Sequence, residues 1–273
     1  MKITRKRKIL LSILLTIQIV AVSVLGIFLF AKTGDSVEFS KMIPVVHGAG
    51  GIDGLAYLNS QESFDLFVAK GYKYFEVDFI YTSDNILVCS HEFDHIENYN
   101  FRNRPTYDEF KNSIIAGKYH TITIPWLVEQ VNKFSNIKII FDTKESNKTQ
   151  VLIDAYNKFK KLGLVTGKSL IAQIYWVDAY DQIKDLELND IWFTNYKAGY
   201  TQQEISTHFD KYQDVTTCIL SEENFLQFVD EGLCINKKIG VHYGERTYNK
   251  SLLQKHAVDY LFVNFWTELG DIN

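Results

Sequence analysis

Short apolar runs alternate with amphipathic stretches along the chain from residue 41 onward. The apolar runs have the length of strands, whereas the amphipathic stretches place large apolar residues three and four positions apart, which is the periodicity of a helix. Residues 61–71 predict a helix that ends at Gly71, and residues 123–134 predict another with Pro125 near its start. The eight principal strands are predicted to begin near residues 42, 73, 137, 169, 190, 216, 239 and 259.

This strict alternation predicts a parallel sheet that is covered on both faces. A (β/α)8 TIM barrel and an open doubly wound sheet both satisfy the pattern, and eight strands favour the barrel. The segment HGAGGIDG after the first strand lacks the glycine spacing of a dinucleotide-binding fold and the acidic residue that should follow it. We expect an additional strand at residues 85–91 to pair with the second predicted strand as an excursion from the barrel.

The N-terminal region departs from the alternating pattern. Residues 1–8 carry five Lys and Arg residues and no acid, and residues 9–31 carry no charge. A helix of that length rises about 34 Å, enough to cross a bilayer core of about 30 Å. We therefore predict a basic cytoplasmic N-terminus at 1–8, a transmembrane signal-anchor helix at 9–31, a linker at 32–40 and a barrel domain at 41–273 outside the cytoplasm. A cleaved signal peptide is the alternative.

Charge and cysteine content narrow the possible partners of the predicted domain. The first 31 residues hold five of the 29 Lys and Arg residues and none of the 33 acids, which leaves a formal charge of −9 on the remainder. We expect no nucleic-acid partner, since nucleic-acid binding depends on basic surfaces. The three cysteines, Cys89, Cys218 and Cys234, lie in apolar surroundings without zinc-site spacing, so we predict buried free thiols.

Charged side chains interrupt the apolar strands at positions that should meet at one rim of a barrel. Glu76 and Asp78 share one face of the second strand, because side chains alternate along a strand, and the third strand ends in Asp142. A buried carboxylate without a partner destabilises a fold. Because the carboxyl ends of barrel strands form the active-site face, the three acids predict a site for a hard divalent cation.

Further polar residues fall at the same predicted rim. His47 ends the first strand and His91 ends the additional strand, so the two histidines could supply an acid and a base. Lys144 follows Asp142 by two residues and is a positive point charge suited to a phosphate oxygen. His242 ends a late strand, and Trp266 follows the last strand, so both are candidates to line the substrate pocket.

These motifs resemble those of the glycerophosphodiester phosphodiesterase family, within the phosphatidylinositol-phospholipase-C-like phosphodiesterases. The resemblance covers residues 47–144. HGAGG…NSQES stands for the family's His-Arg-Gly…Glu-Asn-Thr, EVDFIYTSDNILVCSHE for its Glu-x-Asp…Asp-Gly…His-Asp, and IIFDTK for its Glu-x-Lys. The second half of the chain matches only as alternating strands and helices.

The resemblance implies a TIM barrel that hydrolyses glycerophosphodiesters, or related phosphodiesters of lipids or wall polymers, by acid–base catalysis between two histidines. Together with the N-terminal prediction, it describes a membrane-anchored, extracytoplasmic, metal-dependent enzyme. The resemblance implies that His47 and His91 are the catalytic pair and that Glu76, Asp78 and Asp142 bind Ca²⁺ or Mg²⁺. It also implies that Lys144 contacts the phosphate and that Glu62 is a supporting site residue.

Several departures identify the chain as a divergent member. Gly48 stands where the family has an arginine that would contact phosphate in bidentate fashion, and Ser63 follows Glu62 where the family has Asn. The closing Thr-Asp of the family is Val263-Asn264, and its third metal carboxylate, usually Glu, is Asp142. FDTK also resembles the Asp-x-Lys of sphingomyelinase-D-type enzymes. A phospholipase-D-like enzyme, a catalytically degenerate barrel that serves as a binding or assembly module, and, more remotely, a glycoside hydrolase are therefore alternatives.

Overall fold

The computed structural model describes residues 42–93, 101, 103–165, 167–242, 253, 255–256, 258–265 and 267. The chain consists of two units, Met1–Glu38 and Phe39–Asn273. All of the described residues belong to the second unit.

Twelve strands are present in the described part of the chain. They are β1 (Ile43–Val46), β2 (Tyr74–Tyr81), β3 (Leu87–Cys89), β4 (Ile114–Ile115), β5 (Tyr119–His120), β6 (Ile122–Thr123), β7 (Lys138–Asp142), β8 (Leu170–Ile174), β9 (Asp190–Thr194), β10 (Val215–Ser221), β11 (Lys238–His242) and β12 (Tyr260–Val263). The eight principal strands pair in parallel in the order β1, β2, β7, β8, β9, β10, β11 and β12, and β1 also pairs with β12. This closes an eight-stranded barrel and confirms the predicted TIM-barrel fold.

The chain leaves the barrel between β2 and the helix that precedes β7. β3 pairs with β2 and with β6, both in antiparallel fashion, while β4 and β5 form a separate small ribbon. The predicted excursion after the second barrel strand is thereby confirmed. A local apolar core under this excursion packs Ile80 of β2 against residues that include Val88, Phe93 and Phe110.

Seven α-helices are assigned in the described residues. They are α1 (Gln61–Ala69), α2 (Tyr107–Lys111), α3 (Ile124–Lys133), α4 (Lys148–Lys161), α5 (Ala179–Ile183), α6 (Gln202–Phe209) and α7 (Glu222–Asp230). α1 begins after Ser60, whose side chain accepts a hydrogen bond from the backbone N–H of Ser63, and α3 has Pro125 in its first turn. Both helices were predicted from the sequence, although α1 ends two residues before the predicted Gly71.

Large side chains fill the barrel interior, which is typical of this fold. The rings of Trp192 and Tyr260 pack with centroids 4.6 Å apart and planes tilted by 45°. Val45, Ile140, Ile171, Ile219 and Phe262 belong to the same cluster. All three cysteines are free, as predicted, but Cys234 is exposed rather than buried.

The predicted single-pass placement in a membrane is withdrawn. Within the described ranges, no helix combines the length and the apolar character needed to cross a bilayer. The segments on which that placement rested, residues 1–8, 9–31 and 32–40, lie outside the described residues.

Candidate active site

Three buried carboxylates meet at the carboxyl ends of β2 and β7. Glu76 and Asp78 project from β2, Asp142 ends β7, and the parallel register sets Asp78 directly beside Asp142. One oxygen from each carboxylate lies within 4.8 Å of the others. The residues are only 2%, 0% and 6% exposed, so little solvent screens their mutual repulsion.

The fold treats these carboxylates unequally. Burial raises the pKa of Glu76 well above its usual value, and the charges of Asp78 and Asp142 raise it further. Burial would also raise the pKa of Asp142, but Lys144, Lys148 and a hydrogen bond from Tyr175 outweigh it and lower that pKa. Asp142 is thus an ionised anchor, while Glu76 lacks enough compensating positive charge.

The cluster suits a divalent cation. Asp78 Oδ1 is buried and has no hydrogen-bond partner among the described residues, and Lys144 Nζ lies 3.5 Å from it. A buried acceptor without a donor is destabilising, so this oxygen is a candidate ligand atom. Three converging carboxylate oxygens are also the donor type that Ca²⁺ and Mg²⁺ prefer.

Neighbouring segments fix the orientation of each acid. The backbone N–H of Gly48 donates to Glu76 Oε2 at 2.6 Å, and Tyr175 O–H donates to Asp142 Oδ1 at 2.5 Å. Asn59 Nδ2 donates to Asp78 Oδ2 at 3.1 Å, while the Asp78 N–H donates to Asn59 Oδ1 at 3.2 Å. These contacts hold one oxygen of each carboxylate in place.

The sequence interpretation missed Asn59 and Tyr175. The resemblance places the family's asparagine directly after Glu62, where this chain has Ser63. In the structure Asn59, three residues before Glu62 in the same NSQES segment, supplies the amide beside Asp78. Its position just before the Ser60 cap of α1 was the available signal. Tyr175 follows β8 in the segment QIYW and carried no motif.

Lys144 places a fixed positive charge at the mouth of the cluster. Its Nζ lies 3.2 Å from Asp142 Oδ2 and 3.5 Å from Asp78 Oδ1, and 28% of its side chain remains exposed. Burial alone would lower the pKa of Lys144, but the carboxylates of Asp142, Asp78 and Glu76 outweigh burial and raise it. The ammonium group therefore stays charged at neutral pH.

His47 is held by two residues from the last strands of the barrel. Its Nδ1 lies 3.1 Å from Asn264 Oδ1, and its Nε2 lies 3.1 Å from Nε2 of His242. An amide oxygen accepts only, so Nδ1 carries the proton of the neutral ring and Nε2 keeps its lone pair. Burial, and then the charges of His242 and Lys144, lower the pKa of His47.

Tyr57 stands between the two predicted catalytic histidines. Its ring centroid is 4.4 Å from that of His47 and 6.0 Å from that of His91, with the His91 and Tyr57 rings stacked. The His91 side chain is 27% exposed, and its Nδ1 lies 3.4 Å from Glu92 Oε1. His91 and Lys144 line one open cavity.

The backbone of Tyr57 also closes the space beside Gly48. Gly48 has a φ of +55°, and a Cβ added there would lie 2.7 Å from Tyr57 Cα. No side chain fits this position unless the Tyr57 segment moves.

Two remaining candidates lie away from the cluster or outside the described chain. Glu62, in the first turn of α1, accepts from the His120 backbone N–H at 2.8 Å and contacts His120 Nδ1 at 2.5 Å. These contacts turn Glu62 towards β5. Trp266 lies outside the described residues.

Comparison with solved structures identifies the same barrel in known enzymes. A glycerophosphodiester phosphodiesterase from Parabacteroides distasonis is 18% identical, with a TM-score of 0.61 over 82% of this chain and 93% of that one. A phosphodiesterase from Oleispira antarctica, solved with its product sn-glycerol-3-phosphate, is 15% identical, with a TM-score of 0.64 over 82% and 93%. A Thermotoga maritima glycerophosphodiester phosphodiesterase is 16% identical, with a TM-score of 0.53 over 82% and 94%.

No family model matches the sequence, and no curated protein matches it. At these identities the likeness concerns the fold, and at that level it bears out the resemblance inferred from the motifs. The chain has the barrel fold of solved glycerophosphodiester phosphodiesterases.

Proposed function

We propose that this chain is a divergent glycerophosphodiester phosphodiesterase that depends on a divalent metal ion. The observation that carries the proposal is the group of three buried carboxylates around Asp78 Oδ1, with Lys144 at its mouth. The group lies at the carboxyl ends of barrel strands, where enzymes of this fold have their active sites. The substrate class is a glycerophosphodiester, or a related phosphodiester of a lipid or of a polyol-phosphate polymer.

Glu76, Asp78 and Asp142 would hold Ca²⁺ or Mg²⁺. When bound, the ion would stabilise negative charge on the phosphoryl oxygens. Lys144 would contact a non-bridging phosphate oxygen, because its ammonium group lies beside two of the carboxylates and reaches the open cavity. Fixed charges in a site with little water stabilise developing charge strongly.

His47 would act as the general base. Its hydrogen bond to Asn264 places the ring proton on Nδ1, so Nε2 is the basic nitrogen, and the lowered pKa keeps the ring neutral. The Nε2–H of His242 would donate to this nitrogen across 3.1 Å, and water or a substrate hydroxyl group would replace that donor during the reaction. A neutral imidazole can take a proton from water or from a neighbouring hydroxyl group of the substrate.

His91 would act as the general acid. It stacks on Tyr57, whose ring also contacts His47, and it lines the cavity that Lys144 also reaches. A leaving alkoxide in that cavity would take its proton from the His91 ring. In this scheme Tyr57 separates the base from the acid.

A non-catalytic binding barrel is the second candidate. The observation that favours it is the Tyr57 backbone beside Gly48, which excludes a guanidinium at that position. The maintained cluster of buried acids argues for metal binding in either case.

The test is phosphodiester hydrolysis by the purified full chain. Glycerophosphocholine, glycerophosphoglycerol, lysophosphatidylcholine and sphingomyelin are assayed with Ca²⁺ or Mg²⁺ and with chelator, beside His47→Ala. His208→Ala, on α6, is the matched control. We expect chelator-sensitive turnover that falls at least about 100-fold in His47→Ala and is unchanged in the control.

The substrate that turns over separates the subclasses. Hydrolysis of sphingomyelin or lysophosphatidylcholine with release of choline would support the phospholipase-D-like alternative. A folded, metal-binding chain without turnover on any of the four diesters would contradict hydrolysis of these substrates, and would leave a polyol-phosphate polymer as the substrate or the binding barrel as the function.

A further inference from the structure

The open cavity beside the acid cluster has a second cation in its wall. It lies between the barrel rim and the excursion that follows β2. Its apolar wall includes Ile80, Phe93 and Phe101. Its polar wall holds two cations, Lys144 and Arg104, and two acids, Glu92 and Glu145, together with His91 and Asn103. Arg104 comes from the excursion, and no motif of the sequence drew attention to it.

The barrel holds Arg104 in this wall. Its Nη1 lies 2.8 Å from Glu145 Oε1, and its Cζ lies 6.0 Å from the centre of the Phe93 ring. Glu145 Oε1 also accepts a hydrogen bond from the backbone N–H of Tyr81, at the end of β2. Glu145 directly follows Lys144 in the chain. Its ion pair therefore holds the Arg104 guanidinium near the segment that carries Lys144.

The ion pair leaves Arg104 able to take another partner. The Arg104 side chain is 44% exposed, and water screens an ion pair at that exposure, so Glu145 holds the guanidinium only weakly. An anion that also touches Lys144 can therefore replace or share the Glu145 contact. Arginine binds phosphate through two parallel N–H groups, which lysine cannot do.

Position 48, next to His47 in the chain, cannot carry such a group. The Tyr57 backbone excludes any side chain at Gly48. Among the described residues that line the cavity, Arg104 is the one arginine.

We propose that Arg104 binds the phosphate of the substrate in bidentate fashion, opposite Lys144. The inference rests on the proposed function and extends it: the excursion after β2 supplies the phosphate-binding guanidinium. Arg104 recognises the phosphodiester group itself and not the alcohol attached to it.

The test compares Arg104→Ala and Arg104→Lys with the wild type on glycerophosphocholine and glycerophosphoglycerol. Loss of a charge-assisted contact to phosphate should lower kcat/KM about 10- to 100-fold in Arg104→Ala, equally for both substrates. Arg104→Lys should recover only part of the loss. Lys160→Ala removes a surface ion pair of similar exposure, Lys160 with Glu187, and should leave kcat/KM unchanged.

A binding measurement keeps this inference separate from the proposed activity. Calorimetry with sn-glycerol 3-phosphate and saturating metal should give a Kd about 10- to 100-fold weaker for Arg104→Ala than for the wild type, whether or not any diester turns over. Equal binding by the two proteins would overturn the inference, as would absence of binding by the wild type. Losses that differ more than about tenfold between the two diesters would also overturn it, since a phosphate contact is common to both.

Discussion

Three carboxylates in one buried volume destabilise the fold until a cation balances them. Glu76 shows this most clearly, because burial and its two acidic neighbours raise its pKa. The negative charges of the other two acids have nearby donors. Asn59 donates to Asp78, and Tyr175 and Lys144 contact Asp142. At the scale of single residues, the uncompensated charge of Glu76 therefore lowers the stability of the chain, a cost that is common at functional sites.

We expect Glu76→Gln to stabilise the metal-free chain. Because folding raises the pKa of Glu76, ionising it lowers stability as the pH rises above its unfolded-state pKa of about 4.3. The amide oxygen can keep the hydrogen bond from Gly48 N–H. Urea unfolding in chelator at pH 8 should show a higher free energy of unfolding for Glu76→Gln than for the wild type.

The same variant should lose most of the stabilisation that added Ca²⁺ or Mg²⁺ gives the wild type, which is about 2.7 kcal/mol at a metal concentration 100 times Kd. Asp65→Asn is the control, because Asp65 is an acid on α1 whose pKa burial also raises. A Glu76→Gln protein less stable than the wild type in chelator would contradict the argument.

His242 should make the metal-free chain sensitive to acid. Burial lowers the pKa of His242 to about 4, whereas the unfolded chain binds this proton below about pH 6.5. Stability associated with the neutral ring is present above pH 6.5 and is lost as the pH falls towards 4. In chelator, the wild type should lose about 2 kcal/mol more than His242→Gln between pH 7 and pH 4.5, measured by urea unfolding. Equal losses of stability in the two proteins would show that the folded chain already carries the His242 proton at pH 4.5.

Two elements, α1 and the β2–β7 pair, position most of the acid cluster. The register of β2 and β7 brings Asp78 beside Asp142, and the turn before α1 brings Asn59 to Asp78. α1 is therefore a support for the site even though Glu62, its own acidic residue, contacts His120. A change at the start of α1 should reach the metal through Asn59.

Ser60→Ala removes the cap of α1 and should reduce both stability and metal affinity. Loss of the Ser60 side-chain bond to the Ser63 N–H costs about 1 kcal/mol, and the adjacent Asn59 loses its fixed position. Ser221→Ala is the matched control, because Ser221 caps α7 in the same way through the Asn224 N–H. We expect similar losses in thermal stability, with weaker metal binding by calorimetry only in Ser60→Ala. Equal metal affinities in the two variants would show that the start of α1 does not position the metal-binding residues.

The elements and the acids could be predicted because they follow from periodicity. Alternation along β2 puts Glu76 and Asp78 on one face, and parallel strands end at one rim, so Asp142 had to lie nearby. Asn59, Tyr57 and Tyr175 follow no such rule. Tyr57 and Asn59 lie in a turn with positive φ values of 54° and 44°, whose path depends on tertiary contacts. The contact between His47 and His242, 195 residues apart, exists only in the closed barrel.

At the scale of the whole molecule, packing separates the three thiols into two classes. Cys89 and Cys218 are buried, whereas Cys234 is exposed. A thiol reagent such as Ellman's reagent should therefore titrate one cysteine in the native chain and three after unfolding in urea. Cys234→Ser should abolish the native reaction. Rapid reaction of more than one thiol in the native protein would show that the barrel opens on the time scale of the assay.

Closure of the barrel by its last strands also gives the site an order of assembly. All three acids have left the ribosome once Asp142 has emerged. The two hydrogen-bonding partners of His47 are synthesised much later, because His242 ends β11 and Asn264 follows β12. A domain generally folds as one unit. His47 therefore gains its two orienting partners only when the barrel closes, after the three neighbouring acids have already left the ribosome.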